Sequence, residues 1–292
     1  MFLEQFLKYL QFEKRYSPHT LTAYKNDLFQ FSRFLKSLDT EIQLANHQII
    51  RSWIVLLMDE DIDPRSINRK ISTLRSLYKY LHREKIVEEN PVLKIQTPKV
   101  AKKLPTFISD DKLNGLLDGK VFEDDFSGLR DKLIIELLFG TGIRLSELLG
   151  IKEKDIYIAE QTLKVLGKRN KERIIPINYS LISLLDNYST EKKNQGFSNN
   201  SDVLIVNDKG LPAYPKFIYR AVQKYLKMIS TQEKRSPHVL RHSFATSLLN
   251  NGADINAIKD LLGHANLAAT QVYTHNSIER LKSIYKQAHP KA

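Results

Sequence analysis

Over its first ninety residues the chain offers one kind of periodicity, and it is helical. Leu3, Phe6, Leu7 and Leu10 recur at the three- and four-residue spacing that lines one face of an α-helix. Leu21, Tyr24, Leu28, Phe31, Phe34, Leu35 and Leu38 form a second stripe, opened by a Ser17-Pro18 start signal. Ile49, Ile50, Trp53, Ile54 and Leu57 make a third; Ile67, Ile71, Leu74, Leu77, Tyr78 and Leu81 make a fourth. Residues 1–90 are therefore expected to form an all-helical domain. Asn90-Pro91 is expected to end the fourth helix, because a residue before proline is driven out of the α region. The stretch PVLKIQTPKVAKKLP, with three prolines and four lysines, reads as an extended basic linker over residues 91–105.

Residues 106–292 mix helices with a few short strands. Ser109-Asp110-Asp111 looks like a helix start, and residues 129–139 an apolar helix ending at Gly140. Strand-like pieces follow at Asp155–Ile158, Thr162–Leu166 and Arg173–Ile177, the last two flanking GKRNKE, which has hairpin-turn chemistry. Helices return near 179–188, 214–229, 237–250, 254–262 and 277–287. The expected architecture is mainly α with a small β-sheet in the second domain.

Composition narrows the function. The chain has 292 residues, room for two cores, and no cysteine, so disulfides, cysteine-held zinc and thiol catalysis are excluded. No apolar run approaches the roughly 18–20 residues of a membrane span, and the N-terminus lacks signal-peptide features. A cytoplasmic protein without a membrane partner is expected. The net charge is +12, and the basic excess is shared by both halves of the chain. A polyanion such as nucleic acid, held between two basic domains, fits that distribution.

Several short segments carry possible chemistry, each with a plainer structural alternative. On the fourth helix, Arg65, Arg69 and Arg75 lie off the apolar stripe, where they suit DNA phosphates, base edges or merely solvent. In Ser236-Pro237-His238-Val239-Leu240-Arg241, Ser and Pro open a helix and place His238 and Arg241 near its N-terminus, which favours anions. His238 and His242 have zinc-helix spacing, but Val239 stands where a zinc protease has Glu. In Thr141-Gly142-Ile143-Arg144-Leu145-Ser146-Glu147, Glu147 lies one turn beyond Arg144 and is expected to hold it bidentately. Lys168 sits in the hairpin turn, His264 follows Gly263, and Tyr273 comes nine residues later. Alone, these read first as a salt bridge, a surface turn, a cap and a packing or surface tyrosine.

Taken together and in this order, the segments resemble the tyrosine recombinase (phage integrase) family, and within it the bacterial XerC/XerD recombinases. SPHTLTAYKNDLFQF resembles part of the family's core DNA-binding domain, and the terminal AHPKA resembles Xer-type C-termini. TGIRLSEL, GKRNKERIIP, HVLRHSFAT and LLGHANLAATQVYTH resemble the catalytic motifs. The resemblance implies a two-domain clamp on DNA, with Arg144, Lys168, His238, Arg241, His264 and the nucleophile Tyr273 as catalytic residues and Glu147 in support. Arg169 departs from many relatives, which have Gly after the lysine.

It further implies cleavage through a 3′-phosphotyrosine and a Holliday junction, without metal, ATP or cofactor. The implied partner is double-stranded DNA at a specific recombination site, with chromosome-dimer resolution at bacterial cell division as the expected duty. Four subunits would act together, as a homo-tetramer or with a second Xer-type recombinase, under an FtsK-type DNA translocase. The last helix, through Ile278, Leu281, Ile284 and Tyr285, would dock on a neighbour or on its own domain. A mobile-element integrase, a type IB topoisomerase and a non-catalytic DNA-binding protein are the competing readings.

Overall fold

The computed structural model describes residues 2–101, 106–167, 171–197, 202–263 and 275–291. Its contacts divide the chain into two compact units, Met1–Lys103 and Leu104–Ala292.

The first unit is helical. Helix α1 (Phe2–Lys8) runs into a π-helical turn (Tyr9–Glu13), followed by α2 (Pro18–Ser37), α3 (His47–Asp59) and α4 (Pro64–Arg83). The start at Ser17 is capped as the sequence suggests, its Oγ accepting from Thr20 N at 3.3 Å; Asn46 Oδ1 caps α3, accepting from Ile49 N at 3.0 Å, and Asp63 Oδ1 caps α4, accepting from Arg65 N at 2.8 Å. The four stripes meet in one core around Phe31, Trp53, Ile71, Leu74 and Tyr78. A buried carboxylate joins α2 to α4. Asp27 accepts from Lys70 Nζ at 3.1 Å, from Thr73 Oγ1 at 2.9 Å and from Arg69.

Helix α4 stops at Arg83, not at Asn90-Pro91. Lys85 takes a left-handed φ of 58°, Lys85 N bonds His82 O at 3.1 Å and Ile86 N bonds Leu81 O at 2.9 Å. That is a Schellman ending, with Ile86 and Val87 packed on the core. Asp39 and Asp61 end α2 and α3 with the same signature, at φ 48° and 55°. Glycine usually marks this turn, and none is present. The stretch after Pro91 is partly packed: Val92 and Ile95 are buried in this core, Arg75 Nη2 donates to Ile95 O at 2.8 Å and Asn68 Nδ2 to Pro98 O at 3.0 Å.

The second unit is mainly α with one small sheet. It comprises α5 (Asp110–Asp118), α6 (Phe126–Thr141), α7 (Leu145–Leu148), β1 (Ile156–Tyr157), β2 (Thr162–Leu166), β3 (Glu172–Pro176), α8 (Tyr179–Asn194), α9 (Pro215–Ile229), α10 (Pro237–Asn250), α11 (Ile255–Leu262) and α12 (His275–Ala288). The strands are antiparallel in the order β1-β2-β3, with Leu163 opposite Ile175 and Val165 opposite Arg173. Helix α6 is apolar nearly all round because α8, α9 and α10 pack about it. It runs past Gly140 to Thr141, and Gly142 is the left-handed cap at φ 60°. A Cβ on Gly142 would come within 2.3 Å of the Phe244 ring, so both the turn and the packing require glycine there.

Leu281 and Tyr285 of α12 are buried in this unit's own core, and Tyr285 Oη donates to Gly140 O at 2.9 Å. Ile284 is half-buried; the Ile278 side chain lies outside the described residues.

Candidate active site

The C-terminal end of α11 collects three guanidinium groups. A helix leaves its last carbonyls without intrahelical partners, and its dipole makes that end electronegative. Here Gly263 closes the helix in the left-handed region at φ 63°. Arg173 Nε donates to Leu261 O at 2.9 Å, Arg241 Nη2 to Leu262 O at 2.6 Å and Arg144 Nη2 to Gly263 O at 2.9 Å. Three consecutive carbonyls thus take three arginines from three other elements: β3, α10 and the residue that opens α7.

One carboxylate ties two of them together. Glu147 Oε1 accepts from Arg144 Nη1 at 2.7 Å and from Arg173 Nη1 at 2.7 Å. Glu147 Oε2 accepts from the Arg144 backbone N at 2.7 Å and from Arg173 Nη2 at 2.8 Å. The expected link between Glu147 and Arg144 is present, but the bidentate partner is Arg173. Arg144 opens the short helix, so its backbone N–H competes for one of the two oxygens, and its side chain receives only the other. Burial pushes the Glu147 carboxyl up, but hydrogen bonds and charge from Arg173, then Arg144, outweigh this and hold it below its ordinary value.

Arg241 also donates from Nη1 to Gly142 O at 2.6 Å, bracing the end of α6. Burial, then the charges of Arg144 and Arg173, push its guanidinium down to about 10. The pocket therefore holds three cationic groups against one carboxylate. Arg144 is the most open of the four residues, with 31% of its side chain exposed against 1% for Glu147 and 5% for Arg173.

His238 lies exposed in the first turn of α10, and Pro237 occupies the first helical position. Ser236 has the extended backbone of a cap, but its hydroxyl makes no capping bond. Lys168, His264 and Tyr273 lie outside the described residues. Among the described residues next to Lys168 and His264, Gly167 N bonds Lys171 O at 2.7 Å and the Gly263 carbonyl is held by Arg144.

In the first unit, Arg69 is paired with Asp27 and Arg75 with the Ile95 carbonyl, whereas the exposed Arg65 guanidinium has no partner among the described residues. No group of His, Asp or Glu among the described residues is arranged to hold a metal ion. No described helix is long and apolar enough to cross a membrane.

Sequence reasoning missed Arg173. The signal was present, since Arg173, Ile175 and Ile177 alternate onto one face of a strand and the other two are apolar. A charged residue on a buried strand face needs a partner, and Glu147 is that partner.

Residues 107–280 match the phage integrase family, and residues 3–85 match the phage integrase N-terminal SAM-like domain. The chain belongs to the phage integrase family. The tyrosine recombinase XerC of Chlorobaculum parvum is 36% identical over 99% of this chain and 94% of the relative. The XerC of Listeria monocytogenes serotype 4b is 38% identical over 99% and 97%. A solved structure of the XerH site-specific recombinase, a post-cleavage complex on palindromic difH substrate, shares the fold at a TM-score of 0.71 and 24% identity. That match covers 90% of this chain and 78% of the other. As a tyrosine recombinase, the chain is a DNA strand-transferring enzyme.

Proposed function

We propose that this recombinase cuts DNA at a specific chromosomal site through Tyr273, with Arg144, Lys168, His238, Arg241 and His264 as its catalytic partners. The observation that carries the reading is the surplus of guanidinium charge at the end of α11. Buried cations without a full set of anions are costly, and a phosphodiester supplies the missing negative charge. Arg144 and Arg241 keep N–H groups beyond those already bonded, so each has donors left for phosphoryl oxygens.

In this reading the Tyr273 hydroxyl oxygen attacks the scissile phosphorus. The bond to the 5′ oxygen breaks, and Lys168 gives that oxygen a proton. A 3′-phosphotyrosine remains, preserving the ester's energy for a 5′-hydroxyl of the partner strand. Charge builds on the phosphoryl oxygens in the transition state, where Arg144, Arg241 and His264 act, while His238 assists proton transfer by taking the proton that leaves the Tyr273 hydroxyl. One phosphodiester is exchanged for another, so neither ATP nor a metal ion enters the balance.

The helical unit and the residues from 106 onward act as core DNA-binding and catalytic domains joined through 91–105, with Arg65 the freest of the three α4 arginines to meet DNA. Four subunits, of this chain alone or with a second Xer-type recombinase, exchange strands through a Holliday junction. Resolution of chromosome dimers in the bacterial cytoplasm, under an FtsK-type translocase, is the duty this reading assigns to the chain; likeness to XerC relatives supports its coarser part, site-specific recombination. Arg144→Ala and Arg241→Ala should each slow covalent adduct formation on nicked site DNA by on the order of 10²- to 10³-fold. Near-normal rates in both variants would overturn the assignment.

A further inference from the structure

We propose that Arg173 is a positioning residue for the recombination reaction, setting the Arg144 guanidinium through the two groups that hold it, Glu147 and the end of α11. The proposal rests on the catalytic reading of Arg144 given above. Arg173 itself is not placed to touch DNA: its side chain is 5% exposed, and each of its three nitrogens donates to the protein. It lies on β3 opposite Val165, on the strand's buried face. A guanidinium there is tolerated only because its donors are met, and their targets are what give it a role.

The first target is Glu147. Arg173 grips both carboxylate oxygens from inside the fold, at 2.7 and 2.8 Å. The same oxygens receive Arg144 through its side chain and its backbone, both at 2.7 Å. The direction of the Arg144 guanidinium is therefore set by a carboxylate whose own direction Arg173 sets. The second target is the Leu261 carbonyl, bonded at 2.9 Å. The next two carbonyls take Arg241 and Arg144, so this bond also fixes the turn whose Gly263 carbonyl holds Arg144.

Two glycines leave space for this arrangement. A Cβ on Gly263 would stand 3.1 Å from Arg173 Nη1, and one on Gly167 would stand 3.4 Å from Glu147 Oε1. Lysine cannot replace the residue fully, since one ammonium nitrogen cannot span two carboxylate oxygens and a carbonyl.

The test measures single-turnover adduct formation on a nicked DNA site, together with affinity for that DNA, in the full chain. Arg173→Met should lower the rate by about 10²-fold, the scale expected when a catalytic group is misplaced by an ångström, while affinity stays within about threefold of wild type. The double variant Arg144→Ala/Arg173→Met should be no slower than Arg144→Ala alone, because the second residue acts through the first. Arg173→Lys should fall between wild type and Arg173→Met, and it serves where Arg173→Met does not fold. A rate within twofold of wild type in either folded variant, or losses that multiply in the double variant, would overturn the proposal. If Arg144→Ala alone cleaves normally, the catalytic reading fails instead; if only Arg173→Met does, the positioning role fails alone.

Discussion

Each unit is built around a buried carboxylate gripped by basic side chains, and the two differ in what surrounds it. In the first unit Asp27 takes Lys70, Thr73 and Arg69, and Arg69 leaves 44% of its side chain in water. Solvent meets the residual charge there, and the network fastens α2 to α4. In the second unit Glu147 takes two arginines, a third stands beside them, and two of the three are buried. Most of the residual positive charge there is buried, with only Arg144 half-open to solvent. A carboxylate–cation cluster that closes on itself is structural, whereas one left with buried cationic excess is prepared for an anion.

Substitutions at the two carboxylates test that distinction most sharply. Asp27→Ala strands a buried lysine and should destabilise the first unit by about 3–5 kcal/mol in denaturant unfolding. Pairing Asp27→Leu with Lys70→Met should recover most of that loss, since an apolar pair of similar size removes the stranded charge. Full stability in Asp27→Ala would show that the cluster fastens nothing. Glu147→Gln keeps the shape but not the charge, and should slow adduct formation by on the order of 10²-fold by releasing Arg144.

A milder test uses the anion itself. Sulfate at about ten times its Kd should stabilise the second unit by about 1.4 kcal/mol, with little effect on the first. The effect should vanish in Arg241→Ala; equal stabilisation of both units would mean general salt action. Smallest of all, Lys85→Gly should stabilise the first unit by about 0.5–1 kcal/mol by relieving the left-handed turn that ends α4. Unchanged unfolding would place that strain elsewhere.

Much of this architecture is written in local pattern. The four stripes of the first unit and the hairpin between Thr162–Leu166 and Glu172–Pro176 follow from periodicity and turn chemistry. The end of α4 escaped because Lys85, like Asp39 and Asp61 after α2 and α3, adopts a conformation that sequence reading assigns to glycine. The link between Arg144 and Glu147 is a one-turn spacing and was legible. The Arg173 clamp joins residues 26 positions apart, and the Arg241–Leu262 bond joins α10 to α11; packing alone sets such contacts. Ser236 misled in the other direction, as it has the residue type and backbone of a cap without the bond.

The central claim is that the arginine cluster serves attack by Tyr273, and covalent trapping tests it directly. The full chain is incubated with a nicked suicide DNA bearing its candidate chromosomal site, without metal or ATP, and then denatured. A denaturation-resistant protein–DNA adduct is expected with wild type and none with Tyr273→Phe. An adduct that survives Tyr273→Phe, or none from wild type bound to its site, would contradict it.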